Sequence, residues 1–142
     1  MDRTAGAVWQ GNLKEGKGKI STQSGVLKDS QYSFGTRFEN GIGTNPEELI
    51  AAAHAGCFTM ALSAQLTTAN LPPESLETTA KVTLDRTDAG PTITKIHLAT
   101  KAKVPGADKA AFDKAADEAK KNCPISRLFQ GNTEITLDAV LV

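Results

Sequence analysis

The sequence of 142 residues contains two cysteines, Cys57 and Cys123, and they are the residues best suited to redox chemistry. Cys57 closes the run Ala51-Ala52-Ala53-His54-Ala55-Gly56-Cys57, whose small side chains leave room for a reactant to approach the sulfur. On its own such a residue reads as a small buried hydrophobe, the common state of a free cysteine. Cys123 stands before Pro124, at the start of a short helix, where the helix dipole favours a thiolate. Alternatively it packs with Phe112 and Ala119. If the two sulfurs meet, a peroxide-reducing cycle follows. A Cys57 thiolate attacks the O–O bond and becomes a sulfenic acid, which Cys123 resolves as a disulfide. A resolving thiol of low pKa is also a good leaving group when an external dithiol regenerates the pair.

Cys57 lies about eleven residues beyond its helix N-cap, and dipole effects fade within the first turn. A cation must therefore come from another element. Arg37 is the candidate, at a strand end just before the loop feeding this helix; the alternative is an ordinary solvated arginine. A guanidinium held beside a thiol needs a carboxylate to orient it, and Glu47 and Glu48 are both near in sequence. Either glutamate also serves simply as a complement to the helix dipole. His54 is three residues before Cys57 on the same helix face, placed for a base or, more commonly, for a structural hydrogen bond. His97 projects from a strand and carries no signal. Cys57, Cys123, His54 and His97 are zinc-ligand types without zinc-ligand spacing, so no metal is expected. Lys17-Gly18-Lys19 is too short for a phosphate loop. Phe38, Phe58, Met60 and Phe129 are the large apolar residues nearest the reacting motifs, a candidate pocket for an alkyl chain.

Composition sets the frame for these residues. Sixteen Lys+Arg balance sixteen Asp+Glu, which excludes the basic excess that nucleic acid or an anionic membrane surface would require. The first ten residues lack the basic and apolar regions of a secretory signal, and the apolar stretch Ile50 to Leu62 is too short to span a bilayer. A soluble cytoplasmic protein is expected. Aromatic residues are 5%, so the core is built from Ala, Leu, Ile and Val, thin enough to favour burial against a partner chain.

Residues 1–142 read as one α+β domain with mostly antiparallel sheets. Alternation predicts strands over Ala5 to Gln10, Gly18 to Ser24 and Gln31 to Phe38. Thr44 or Asn45 then caps a long central buried helix, with Pro46 at its first turn, ending near Asn70 before Leu71-Pro72-Pro73. Strands follow over Leu76 to Asp85 and Thr92 to Val104, joined by Asp88-Ala89-Gly90-Pro91. Asp108 caps a second, amphipathic helix with Phe112, Ala115, Ala116, Ala119 and Cys123 at helical spacing. Pro124 to Gln130 is a short helix, and Thr133 to Val142 a last strand.

Several runs taken together resemble the osmotically inducible protein C (OsmC) and organic hydroperoxide resistance (Ohr) family. They are Thr36-Arg37-Phe38-Glu39, Gly43-Thr44-Asn45-Pro46-Glu47-Glu48-Leu49, Ala52-Ala53-His54-Ala55-Gly56-Cys57-Phe58-Thr59-Met60-Ala61-Leu62 and Cys123-Pro124-Ile125-Ser126. Trp9-Gln10-Gly11-Asn12-Leu13 and Glu134-Ile135-Thr136-Leu137 extend the likeness over nearly the whole chain, and the place of Arg37 favours the OsmC branch. The resemblance implies an intertwined homodimer and a thiol-dependent peroxidase preferring organic hydroperoxides, with no cofactor beyond an external dithiol of lipoyl or thioredoxin type. By motif position Cys57 is the peroxidatic thiol, Cys123 the resolving thiol, Arg37 the activating guanidinium and Glu47 its carboxylate; His54 has no reacting role. At ~100° per residue, Glu47 also lies nearer to Cys57 around the helix than Glu48 does. Glu47 and Cys57 are nevertheless ~15 Å apart along one helix axis, so the Arg37–Glu47 pair is expected to act on Cys57 of a second chain. The alternative to an enzyme is a redox sensor or stress-binding protein using the same disulfide as a switch; a third reading makes both thiols structural.

Overall fold

The computed structural model describes residues 1–142, and the chain divides into two compact units, Met1–Leu49 and Ile50–Val142. The first holds strands β1 (Ala5–Gln10), β2 (Lys17–Thr22) and β3 (Ser30–Tyr32), an antiparallel sheet in that order, followed by helix α1 (Phe34–Phe38). Gly18 faces Trp9 across β1–β2 and Tyr32 across β2–β3. A Cβ there would fall 2.2 Å from the Tyr32 ring, so glycine is what lets the Trp9 and Tyr32 rings approach to 5.4 Å.

The stretch expected as a strand to Phe38 stops at Tyr32. Ser33 takes extended geometry and caps α1: its hydroxyl accepts from the Thr36 N–H, and the Thr36 hydroxyl accepts from the Ser33 N–H. This reciprocal cap satisfies backbone donors that a strand would have directed to a neighbour. Arg37 therefore sits in the last turn of a one-turn helix, not on a strand end.

Helix α2 (Pro46–Thr68) begins at the Thr44-Asn45-Pro46 signal, and the Asn45 side chain accepts from the Glu48 N–H at 2.8 Å. It is 23 residues, long and apolar enough to cross a membrane where the shorter run Ile50 to Leu62 is not. Phe58, Leu62 and Leu66 recur every fourth residue and are fully buried in the core. Burial holds for that face; Ala52, Ala53, Gly56 and Met60 on the rest of the helix are exposed.

The second unit continues with β4 (Ser75–Thr87), β5 (Gly90–Lys103), α3 (Lys109–Asn122), α4 (Pro124–Phe129) and β6 (Glu134–Leu141). β4 and β5 form an antiparallel hairpin with an irregularity at Thr83/Leu84, whereas β6 joins β5 in parallel. The α3–α4 crossover makes that direction natural, since parallel neighbours need a long connection. Ile96, Leu98, Thr100 and Ala102 alternate inward along β5, and Phe112, Ala115, Ala116 and Ala119 close the core from α3. Asp108 caps α3 through the Ala111 N–H at 2.7 Å.

Phe58 is wholly enclosed, so truncation leaves a cavity that rigid neighbours cannot fill. Phe58→Ala is expected to cost about 3–5 kcal/mol in urea unfolding, against about 1 kcal/mol for Phe58→Leu.

Candidate active site

The Pro124 break turns the end of one helix into the start of another. Cys123 is both the C-cap of α3 and the N-cap of α4, with extended ψ of 123°, and Pro124 occupies the first turn, where its missing N–H costs nothing. This junction sets the Cys123 sulfur 2.9 Å from the Cys57 sulfur on α2. Both cysteines are free thiols, and the separation exceeds the ~2.05 Å of a disulfide bond. Cys123 is fully buried and Cys57 half-buried.

Burial pushes the Cys57 thiol up from its ordinary pKa, and the Cys123 thiol adds to the rise through its hydrogen bond and its charge when ionised. One group opposes them: the Ile125 backbone N–H, in the first turn of α4, donates to the Cys57 sulfur. The sequence points the α4 dipole at Cys123 alone, and no residue-type signal marks a backbone donor aimed at another element.

In the first unit, Arg37 binds Glu47 through three hydrogen bonds, Nε to Oε1 at 3.1 Å, Nε to Oε2 at 3.3 Å and Nη2 to Oε1 at 2.8 Å. The Glu47 carboxylate is nearly buried while the Arg37 side chain remains 39% exposed. Nη1 takes no part in the pairing, so the carboxylate fixes the guanidinium plane and leaves one edge free. Glu48 goes elsewhere, accepting from the Thr44 hydroxyl at 3.0 Å within the helix cap. Asn45 secures the arrangement by donating to the Thr36 carbonyl at 3.1 Å.

His54 is fully buried, with Nε2 2.8 Å from the Ser126 hydroxyl on α4 and Nδ1 without a hydrogen-bond partner. Burial lowers its pKa from 6.5. Ser126 was not singled out by sequence, because its partner lies 72 residues away. His97 bonds the Thr136 hydroxyl at 2.7 Å and Asp138 at 3.3 Å, neighbours across β5–β6, and no cluster of His, Cys, Asp and Glu suited to a metal occurs. Of the four apolar candidates, Phe58 belongs to the core and faces no opening, Phe129 lies 6.3 Å from the His54 ring, and Phe38 and Met60 are 43% and 77% exposed.

A paired thiol, a carboxylate-held arginine and an α+β frame of this topology define a thiol redox protein of known type. The family model described as OsmC-like protein matches residues 38–138. Peroxiredoxin OsmC of Escherichia coli strain K12 is 54% identical over 132 residues, covering 93% of this chain and 91% of the relative. The organic hydroperoxide resistance protein of Xanthomonas axonopodis pv. citri is 35% identical over 99 residues, covering 68% and 67%. Among solved structures, the organic hydroperoxide resistance protein OhrB of Bacillus subtilis superposes with a TM-score of 0.72 at 25% identity, over 96% of this chain and 97% of that one. The chain belongs to the OsmC/Ohr family of OsmC-like proteins.

The lowered pKa of His54 links it to stability. Below pH 6.5 the unfolded chain binds a proton that the folded chain refuses, so stability is fully present above 6.5 and falls as the pH drops through that value. The expected loss approaches about 1.4 kcal/mol per pH unit, and chemical denaturation of His54→Gln from pH 7 to 5 should show a flatter dependence.

Proposed function

We propose that this chain is a cysteine-based peroxidase that reduces organic hydroperoxides, and hydrogen peroxide less well, in defence against oxidative and osmotic stress. The observation that carries the reading is the contact of two free thiols, Cys57 and Cys123, at 2.9 Å, in a chain 54% identical to a peroxiredoxin. In the cycle, the Cys57 thiolate attacks the terminal peroxide oxygen. The O–O bond breaks, the alkoxide takes a proton and leaves as alcohol, and Cys57 is left as a sulfenic acid. Cys123 attacks that sulfur, the S–S bond forms, and water leaves. An external dithiol of lipoyl or thioredoxin type reduces the disulfide and becomes a disulfide itself. No cofactor enters, and cycling thiols suit the reducing cytoplasm.

The attacking species is an anion, and its own unit holds Cys57 toward the neutral form. A guanidinium restores the balance, and Arg37 with its free Nη1 edge fits that role. Arg37 is tied to Glu47, ten residues before Cys57 on one continuous helix, or ~15 Å along its axis. The cation for each Cys57 is therefore supplied by Arg37 of a second copy. The exposed small-residue face of α2, with Ala52, Ala53 and Gly56, suits the close approach of two such helices in a homodimer.

With cumene hydroperoxide and a dithiol, the wild-type chain should consume many equivalents; a redox sensor would stop after one. Cys57→Ser should abolish consumption, and Cys123→Ser should allow one turnover, followed by sulfinic acid at Cys57 in mass spectra. Indistinguishable behaviour of the two variants would overturn the assignment of roles.

The shared site is tested by mixing Arg37→Ala and Cys57→Ser chains, each inactive alone. Half the dimers then carry one competent site, restoring about a quarter of the wild-type rate. No restoration after confirmed subunit exchange would place both groups on one chain.

A further inference from the structure

His54 and Ser126 are outside the chemistry above, yet they repeat its geometry one turn away. His54 precedes Cys57 by three residues on α2, and Ser126 follows Cys123 by three on α4. Two contacts thus bridge the same pair of helices, sulfur to sulfur at 2.9 Å and imidazole to hydroxyl at 2.8 Å. Ile125, whose N–H reaches the Cys57 sulfur, lies next to Ser126 on α4.

We propose that the buried His54–Ser126 hydrogen bond is a positioning clamp that seats the first turn of α4 on α2, holding the Cys123 sulfur and the Ile125 N–H on Cys57 together. It rests on the Cys57–Cys123 pairing proposed above and adds two positioning residues to it. Packing alone does not account for the pair. His54 and Ser126 are 0% and 4% exposed, and whichever tautomer forms the bond, Nδ1 remains buried without a partner. An apolar side chain of similar size would fill the space without that cost. What an apolar contact does not supply is direction: α4 is six residues long, and rotation about its axis would carry both Cys123 and Ile125 off Cys57. The hydrogen bond fixes that rotation, and Phe129 beside the imidazole supports it from the next turn.

The clamp is tested by equilibrating the whole protein in a glutathione redox buffer, where protein dithiol and oxidised glutathione give the Cys57–Cys123 disulfide and two reduced glutathiones. Ser126→Ala and His54→Leu should each lower the equilibrium constant for disulfide formation by roughly five- to tenfold, the weight of one buried hydrogen bond. The double variant should be no worse than either single one, and His54→Gln, whose amide reaches the same hydroxyl, should stay near wild type. Val104→Ala, a core truncation outside the site, should lower the melting temperature and leave the equilibrium unchanged. If His54→Leu does not fold, Ser126→Ala decides. Wild-type equilibrium in Ser126→Ala, or an equal shift in Val104→Ala, would reduce the pair to ordinary core structure. This readout uses no peroxide, so failure of the peroxidase reading would appear separately, as a wild-type chain that forms the disulfide but consumes no hydroperoxide.

Discussion

In the proposed cycle Cys57 must carry charge, yet its sulfur lies where burial disfavours charge. Partial burial of Cys57 raises its pKa, and the adjacent Cys123 raises it further. Within its own unit the one opposing influence is the Ile125 N–H. A single neutral donor offsets only part of the desolvation of an anion, so within that unit the balance stays toward the neutral thiol. Activation then becomes a question of where a cation is brought from. Arg37, the cation assigned to Cys57 in the proposed cycle, is held by a nearly buried Glu47 that orients the part-exposed guanidinium.

The junction at Cys123 makes the contact with Cys57 possible. One residue ends α3, begins α4 and supplies the second sulfur, and Pro124 enforces the change of direction. The backbone donor at Ile125 exists only because a new helix starts there; in an uninterrupted α3 that N–H would be bonded within the helix. The proline thus does more than stop a helix. It frees a donor and places it, with Cys123, opposite Cys57.

Much of this was legible in the sequence because it rests on local rules. Asp108 with Phe112, Ala115, Ala116 and Ala119 shows α3 by its cap and 3.6-residue period, and Pro46 and Pro124 mark helix starts that the structure keeps. The alternating stretches of β4, β5 and β6 are found within a few residues of their expected ends. The failures are equally physical. Tyr32, Phe34 and Thr36 alternate as a strand would, but the Ser33–Thr36 cap outweighs that pattern, and threonine in place of glutamate or glutamine hides the capping box. Alternation also carries no direction, so β6 as a parallel neighbour of β5 follows from the crossover and not from its residues. Residue types single out the two thiols that the fold brings together and the Arg37 and Glu47 that it pairs. The His54–Ser126 bond joins positions 72 apart, and Ile125 acts through its backbone, so neither leaves a mark on composition or spacing.

The closeness of the two sulfurs also bears on what can reduce them. In the proposed cycle the disulfide closes a loop between positions 66 apart in sequence, which by chain entropy alone would stabilise the fold by roughly 4 kcal/mol. Linkage runs both ways: a fold that gains from the bond favours the bond to the same degree, and the disulfide becomes harder to reduce. Attack by a monothiol would leave a mixed disulfide with the other cysteine still beside it. That neighbour expels the monothiol by re-forming the internal bond faster than a second molecule arrives. A dithiol escapes the reversal, because its own second sulfur attacks the mixed disulfide at a comparable effective concentration. In the proposed cycle, the preorganisation that would favour rapid resolution of a sulfenic acid would therefore also favour a dithiol as the reductant.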